Sequence, residues 1–143
     1  MVNNIIIYYA LKVEINELKQ KLEPIFEAVP EVGIAYLFGS QARGDTGPMS
    51  DFDFAVYFDE KDTVKRFDLL FKLSSDISGV LKTDAIDIHS LNDMEMPELK
   101  YNIISQGVLL FERGPHRIVV EPKILNEYFD FVYLLRKYKL TKA

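Results

Sequence analysis

The chain contains no cysteine. Disulfides and thiolate metal sites are therefore excluded, and a reducing cytoplasmic setting fits this composition. Long hydrophobic runs are scarce as well. The apolar stretch Ile5-Ile6-Ile7-Tyr8-Tyr9-Ala10-Leu11 is too short to cross a bilayer and no basic segment precedes it, so neither a membrane span nor a signal peptide is expected. Positive charge is in deficit: 17 Lys and Arg stand against 22 Asp and Glu, for a formal net charge of -5. Proteins that grip long nucleic acid through its phosphates usually carry the opposite balance, so DNA or RNA is not expected as the main ligand. Internal repeats and low-complexity segments are missing too. What is present is ordinary globular material, 143 residues with 48% hydrophobic and 27% charged, enough for one domain over 1–143 with a real core.

The periodicity predicts an N-terminal helix over about 11–29, where Leu11, Ile15, Leu18, Leu22, Ile25, Phe26 and Val29 recur at helical steps. Pro24 should kink or restart it and Pro30 should end it. Val32 to Phe38 reads as a first strand, and Gly39 to Gly44 as a turn with about one helical turn. The stretch from Asp45 to Ser50 reads as a loop around Gly47 and Pro48. A second strand follows, in which Phe52, Phe54, Val56 and Phe58 alternate with Asp51, Asp53, Ala55 and Tyr57. Asp62 can cap the next helix, with Val64, Phe67, Leu70, Phe71, Ile77 and Val80 as its core stripe. Ala85 to His89 is a third strand. Pro97 opens and Gly107 stops a further helix, Val108 to Phe111 is a fourth strand, and Gly114-Pro115 marks a break. A C-terminal helix is expected over about 123–139. The order implies an α/β (α+β) fold with helices against a small mixed sheet, its core spanning about 32–112. The first two strands should be antiparallel, and the second and third parallel.

The segment FGSQARGDTGPMSDFDFAVYF concentrates the chemistry. Gly39-Ser40 forms a small turn whose backbone N–H groups can approach a phosphate, and Arg43 follows one helical turn later. Asp51 and Asp53 open an apolar strand. Because strand side chains alternate, they share a face, roughly 7 Å apart along the backbone. Two such anions repel, and a hard divalent cation is the usual remedy. Asp87, alone between Ile86 and Ile88, is a costly residue in an apolar strand without a partner. A parallel neighbour would bring it to the Asp51/Asp53 pair, where two metals could clamp an in-line phosphoryl displacement. Plainer roles exist for each residue. Asp51 can cap a turn, Asp87 can pair with Lys82, Ser40 can cap a helix and Arg43 can be a solvated surface arginine. His89 falls in phase with Asp87 but is read as a packed or surface histidine. His116 is read as a loop residue, Met94 and Met96 as packing residues, and Asp45, Asp84 and Asp93 as turn or cap residues.

Gly39-Ser40-x-Ala42-Arg43-Gly44, then Ser50-Asp51-x-Asp53, with Asp87 on a later apolar strand, resembles the nucleotidyltransferase superfamily related to DNA polymerase beta. In particular it resembles the minimal nucleotidyltransferases (MNT), over about residues 32 to 112. The resemblance implies a nucleotidyltransferase fold with a two-magnesium site held by Asp51, Asp53 and Asp87, of which Asp87 helps activate the attacking hydroxyl. It places the ATP triphosphate on Gly39 and Ser40, assisted by Arg43. Minimal nucleotidyltransferases are typically encoded with HEPN-domain ribonucleases, and as antitoxins they add AMP to a tyrosine of that toxin. This chain lacks the Arg-x4-His motif of the ribonuclease, so it resembles the antitoxin half. Two other functions stay open. One is a non-catalytic antitoxin that blocks by contact, using a C-terminal helix apolar around much of its circumference and rimmed by Arg136, Lys137, Lys139 and Lys142. The other is transfer to a small molecule, as in antibiotic-modifying relatives, with a pocket completed at a homodimer interface.

Overall fold

The computed structural model of the protein describes residues 2–44 and 51–140, with side chains from residue 14 onward. The expected loop over 45–50, with Asp45 and the motif residue Ser50, lies outside the described residues, as do Lys142 and the side chain of Leu11. The elements run α1 (Val2–Glu27), β1 (Val32–Phe38), α2 (Ser40–Arg43), β2 (Phe52–Phe58), α3 (Thr63–Leu81), β3 (Ile86–Ser90), a 3-10 turn (Leu91–Asp93), α4 (Pro97–Gln106), β4 (Val108–Glu112) and α5 (His116–Lys137). No helix among the described residues is long and apolar enough to cross a membrane.

The four strands form one sheet in the order β3-β2-β1-β4. β1 pairs antiparallel with β2 and with β4, while β2 and β3 are parallel, their crossover supplied by α3. Strand alternation divides the core between the two faces. Ala35, Leu37, Phe54 and Val56 bury against Leu22 and Phe26 of α1 and Leu73 and Ile77 of α3. Ile34, Tyr36 and Ala55 bury against Ile103 of α4 and Ile124 of α5. Helices therefore cover both faces of the sheet, and the central strands β1 and β2 are apolar on both sides for that reason.

Several sequence expectations need correction. α1 begins at Val2 rather than near Leu11 and runs unbroken through Pro24 to Glu27. The bond that Pro24 cannot make would go to the carbonyl of Gln20, an exposed residue where water can replace it. α5 likewise starts seven residues early, at His116, and passes through Pro122, whose missing partner carbonyl belongs to exposed Ile118. His116 is thus a helical residue, and its ring packs against Tyr57. α3 buries only part of the expected stripe, Ile77 fully and Leu70 partly. Arg66, Leu73 and Ile77 face inward, joined by partly buried Leu69, Leu70 and Leu81, while Val64, Phe67, Phe71 and Val80 are exposed. The helix carries two apolar stripes on nearly opposite sides, and helical spacing alone does not choose between them. Met96 is exposed rather than packed.

Two of these element ends are closed by side chains. Asp62 accepts from the Val64 backbone N–H at 2.9 Å and caps α3. Arg113, just past β4, donates to the carbonyls of Phe26 (3.2 Å), Glu27 (3.1 Å), Val29 (3.3 Å) and Val32 (3.0 Å). One guanidinium therefore satisfies the C-terminal carbonyls of α1 and ties that helix to the sheet.

Candidate active site

The site is built on three adjacent strands. Phe38 of β1 is in register with Asp53 of β2, and Asp53 with Asp87 of β3. Residues in register on neighbouring strands point to the same face, so these three form one row. One step further along β3, His89 is in register with Ala55, and alternation returns it to the face carrying Asp87. Its Nε2 lies 3.2 Å from Asp87 Oδ2, and its ring is 6.0 Å from that of Phe38. One ligand atom from each of Asp53, Asp87 and His89 falls within 4.8 Å of the others.

Gly39 follows Phe38 directly and turns the chain over Asp53. Its φ of +75° is left-handed, a conformation glycine adopts without steric cost. A Cβ there would also run into Asp53 Oδ2. The glycine is thus required twice, for the turn and for the close approach of backbone to carboxylate. Ser40 begins α2 as its first helical residue, with Gly39 at the cap position. The Arg43 backbone N–H donates to the Gly39 carbonyl at 3.3 Å and closes this short turn. A cleft of about 270 Å³ opens beside it, lined among others by Phe38, Gly39, Arg43, Asn102 and Gln106. A second cleft, of about 240 Å³, lies on the α1 side of the sheet among Ile15, Leu18, Leu37 and Phe52, away from the carboxylate row.

Electrostatics set this row apart. The Asp53 carboxyl is held above its ordinary range, first by burial and then by the negative charge of Asp87. His89 pulls it down, Asp51 pushes it up and Arg43 pulls it down. Asp51 itself is exposed, one residue before β2, and lies outside the group that shares a 4.8 Å reach. Carboxylate oxygens held together against their own repulsion form the donor set that a hard divalent cation satisfies, so the residues fit magnesium. Of the residues singled out in the sequence, Asp53 and Asp87 meet directly, Gly39 lies against Asp53, and the charges of Asp51 and Arg43 reach it. His89 belongs to the cluster although the sequence reading set it aside. The period-two phase with Asp87 was the available signal.

The chain is similar to several solved structures. It matches a chain of a toxin–antitoxin complex crystallised with AMP-PNP at 23% identity, covering 87% of this chain and 94% of the other, with a TM-score of 0.63. It matches a chain from the complex of an MNT antitoxin with tri-AMPylated Shewanella oneidensis HEPN toxin at 19% identity, covering 90% and 94%, with a TM-score of 0.59. A chain of the MntA–HepT toxin–antitoxin matches at 21% identity, covering 89% and 94%, with a TM-score of 0.57. These likenesses establish a shared fold. No curated protein matches the sequence. The family model for polymerase beta nucleotidyltransferases matches residues 20–116, more than half of the chain and the whole of the carboxylate row with its glycine turn. The chain therefore belongs to the polymerase beta nucleotidyltransferase family.

Proposed function

We propose that the protein transfers AMP from ATP to a hydroxyl of a partner protein, a tyrosine of a HEPN-domain toxin, and so acts as its antitoxin. The observation that carries this reading is the Asp53–Asp87 register with Gly39 folded against Asp53. It brings a glycine turn of the kind that can cradle a phosphate beside two neighbouring carboxylates. Gly39 and Ser40 bind the triphosphate through backbone N–H groups and the Ser40 hydroxyl, and Arg43 adds positive charge. Asp51, Asp53 and Asp87 would hold magnesium, which supplies Lewis-acid neutralisation of the phosphate charge. Asp87 stands on the outermost strand of the sheet, where an acceptor can approach, and takes up the proton of the attacking hydroxyl. The acceptor oxygen bonds to the α-phosphorus, the bond from that phosphorus to the bridging oxygen breaks, and pyrophosphate leaves. The relatives with AMP-PNP and with an AMPylated toxin support AMP as the group and a HEPN protein as its acceptor.

The test is to incubate the full chain with magnesium, a HEPN protein and ATP labelled at either the α- or the γ-phosphate. Label on a tyrosine from α-labelled ATP alone is expected. Transfer to a free small molecule, with every protein ignored, would reject the antitoxin reading and leave small-molecule transfer.

A contact-only antitoxin is favoured by one observation. α5 buries only Ile124 fully and exposes Ile118, Val119, Phe129, Tyr133 and Leu134, with Tyr138 at its end. Apolar surface of this kind suits a protein interface. Inhibition of the toxin by the Asp53→Asn protein, without nucleotide, would select contact over chemistry.

A further inference from the structure

We propose that His89 is itself a metal ligand, so that the site combines carboxylate oxygens with one imidazole nitrogen and prefers nitrogen-accepting ions to magnesium. The proposal rests on the nucleotidyltransferase reading of the carboxylate row and adds a residue to it. Three observations converge. The parallel register places Asp53 beside Asp87 and Ala55 beside His89, so alternation aims both β3 side chains at the Asp53 side of the sheet. The His89 Nε2 to Asp87 Oδ2 separation is 3.2 Å. Two donors each about 2.1 Å from one ion, at right angles, stand about 3.0 Å apart. The third donor, from Asp53, closes a group whose atoms all lie within 4.8 Å. The ring does not float freely, because the Phe38 ring packs beside it at 6.0 Å.

The competing role is narrower. His89 could donate a hydrogen bond to Asp87 and only orient that carboxylate. The two roles differ in ion selectivity. Magnesium favours oxygen ligands, whereas imidazole suits later transition ions such as cobalt, nickel and zinc. A liganding histidine raises affinity for those ions selectively. An orienting histidine affects every ion alike.

The chain has 2 histidines, which makes the assignment tractable. The other, His116, sits 3.9 Å from Asp59, just beyond the far end of β2, so the strand's length separates it from Asp53. The experiment uses the full chain without nucleotide, titrated with cobalt(II) alone and with magnesium alone, by calorimetry and proton NMR. High-spin cobalt shifts the exchangeable ring proton of a bound imidazole far outside the normal range. One such signal is expected in wild type and in His116→Gln, and none in His89→Gln. Cobalt affinity should fall at least tenfold in His89→Gln, with magnesium affinity changing less than threefold. His89 is 43% exposed, so the variant should fold, and His89→Asn serves as a second copy of the test. A shifted signal that survives in both variants, no such signal in wild type, or equal losses for the two ions would each overturn the proposal. Asp53→Asn separates this failure from that of the underlying reading. If it binds both ions like wild type, the carboxylate row is not a metal site. If it loses both while His89→Gln leaves selectivity unchanged, only the His89 assignment fails.

Discussion

One aspartate lies near the start of β3 and another just past its end, and the fold treats them in opposite ways. Asp93, in the turn just after the strand, receives two hydrogen bonds from the buried Arg66 guanidinium, at 3.0 Å from Nε and 2.6 Å from Nη2. Arg66 spends its other donors on the Glu60 carbonyl at 2.8 Å and on Thr63 Oγ1 at 3.2 Å. The pair is complete, and the Asp93 carboxyl is held below its usual range by the Arg66 bond. Asp87, near the start of the strand, instead faces a second carboxylate, and Asp53 is pushed above its usual range by burial and by that neighbour. One cluster answers its charges within the chain and contributes stability. The other sets two carboxylates against each other, with His89 and Arg43 offsetting only part of the repulsion, and Asp53 stays above its ordinary range.

The largest effect expected from this contrast is catalytic. Asp53→Asn keeps the shape of the side chain and removes its charge. On the proposed mechanism AMP transfer should fall about a thousandfold or more, since Asp53 would bind the reaction's metal directly. The metal-free melting temperature should hold or rise, because the repulsion with Asp87 is gone. Transfer assays and thermal melts in chelator check both halves, and a clear loss of stability would show that Asp53 is a structural group.

The converse applies at the other end of β3. Asp93→Ala leaves the Arg66 charge buried with only part of its bonding. Losing one partner of a buried pair typically costs 3–5 kcal/mol. The Asp93 side chain is 40% exposed, so solvent screening reduces the expected loss to about 2 kcal/mol, or about 6 °C in Tm. Transfer per folded molecule should stay within threefold.

pH sharpens the contrast, because the two shifts have opposite signs. Asp93 has a lowered folded pKa, so its contribution is present above the ordinary value of 3.8 and is lost as pH falls through the folded value. Asp53 has a raised folded pKa, so its ionisation costs stability as pH rises through and above 3.8. The melting-temperature deficit of Asp93→Ala should therefore be largest near neutral pH and shrink towards pH 3. Any gain in Asp53→Asn, measured in chelator, should also vanish there. Parallel pH profiles for wild type and either variant would contradict the assigned shifts.

Much of this arrangement was legible before folding, for identifiable reasons. Asp51, Asp53 and Asp87 stand out because carboxylates interrupt apolar strands, and Gly39 stands out as a turn between strand and polar segment. The strand directions follow from what the connections contain, a motif loop with one helical turn joining antiparallel β1 and β2 and a long helical crossover joining parallel β2 and β3. The failures occur where the sequence offers two solutions of similar quality. α3 has two apolar stripes, and which one turns inward depends on the sheet it meets. Pro24 reads as a kink, and the C-terminal helix is expected to start only after Pro122, yet each proline loses a bond at an exposed carbonyl, where the loss is mild. Arg66 was not anticipated as buried, because its partner Asp93 lies 27 residues away. His89 is in phase with Asp87, but a lone histidine on a strand is more often a packed or surface residue than a ligand, so its phase alone does not place it in the site.

The smallest effect tests whether scaffold and site are separable on a single face of the sheet. Tyr36 lies two residues before Phe38 on β1 and shares its side of the sheet with the carboxylate row. Its buried hydroxyl donates to Glu121 Oε2 at 2.6 Å, and burial, followed by that carboxylate, pushes its pKa well above the tyrosine range. Glu121 is also held by Arg117 at 3.1 Å. Tyr36→Phe therefore removes one hydrogen bond to an acceptor that keeps another partner. Bonds to charged groups contribute about 1.5–3 kcal/mol, and the remaining Arg117 pair should hold the loss to about 1 kcal/mol, or about 3 °C in Tm. Because this pair joins β1 to α5, it should move stability and leave metal affinity and transfer within twofold. A larger drop in transfer, at unchanged metal affinity, would show that the seat of α5 on β1 governs how the acceptor is presented, and the division between structural and functional charge would then fail on this face.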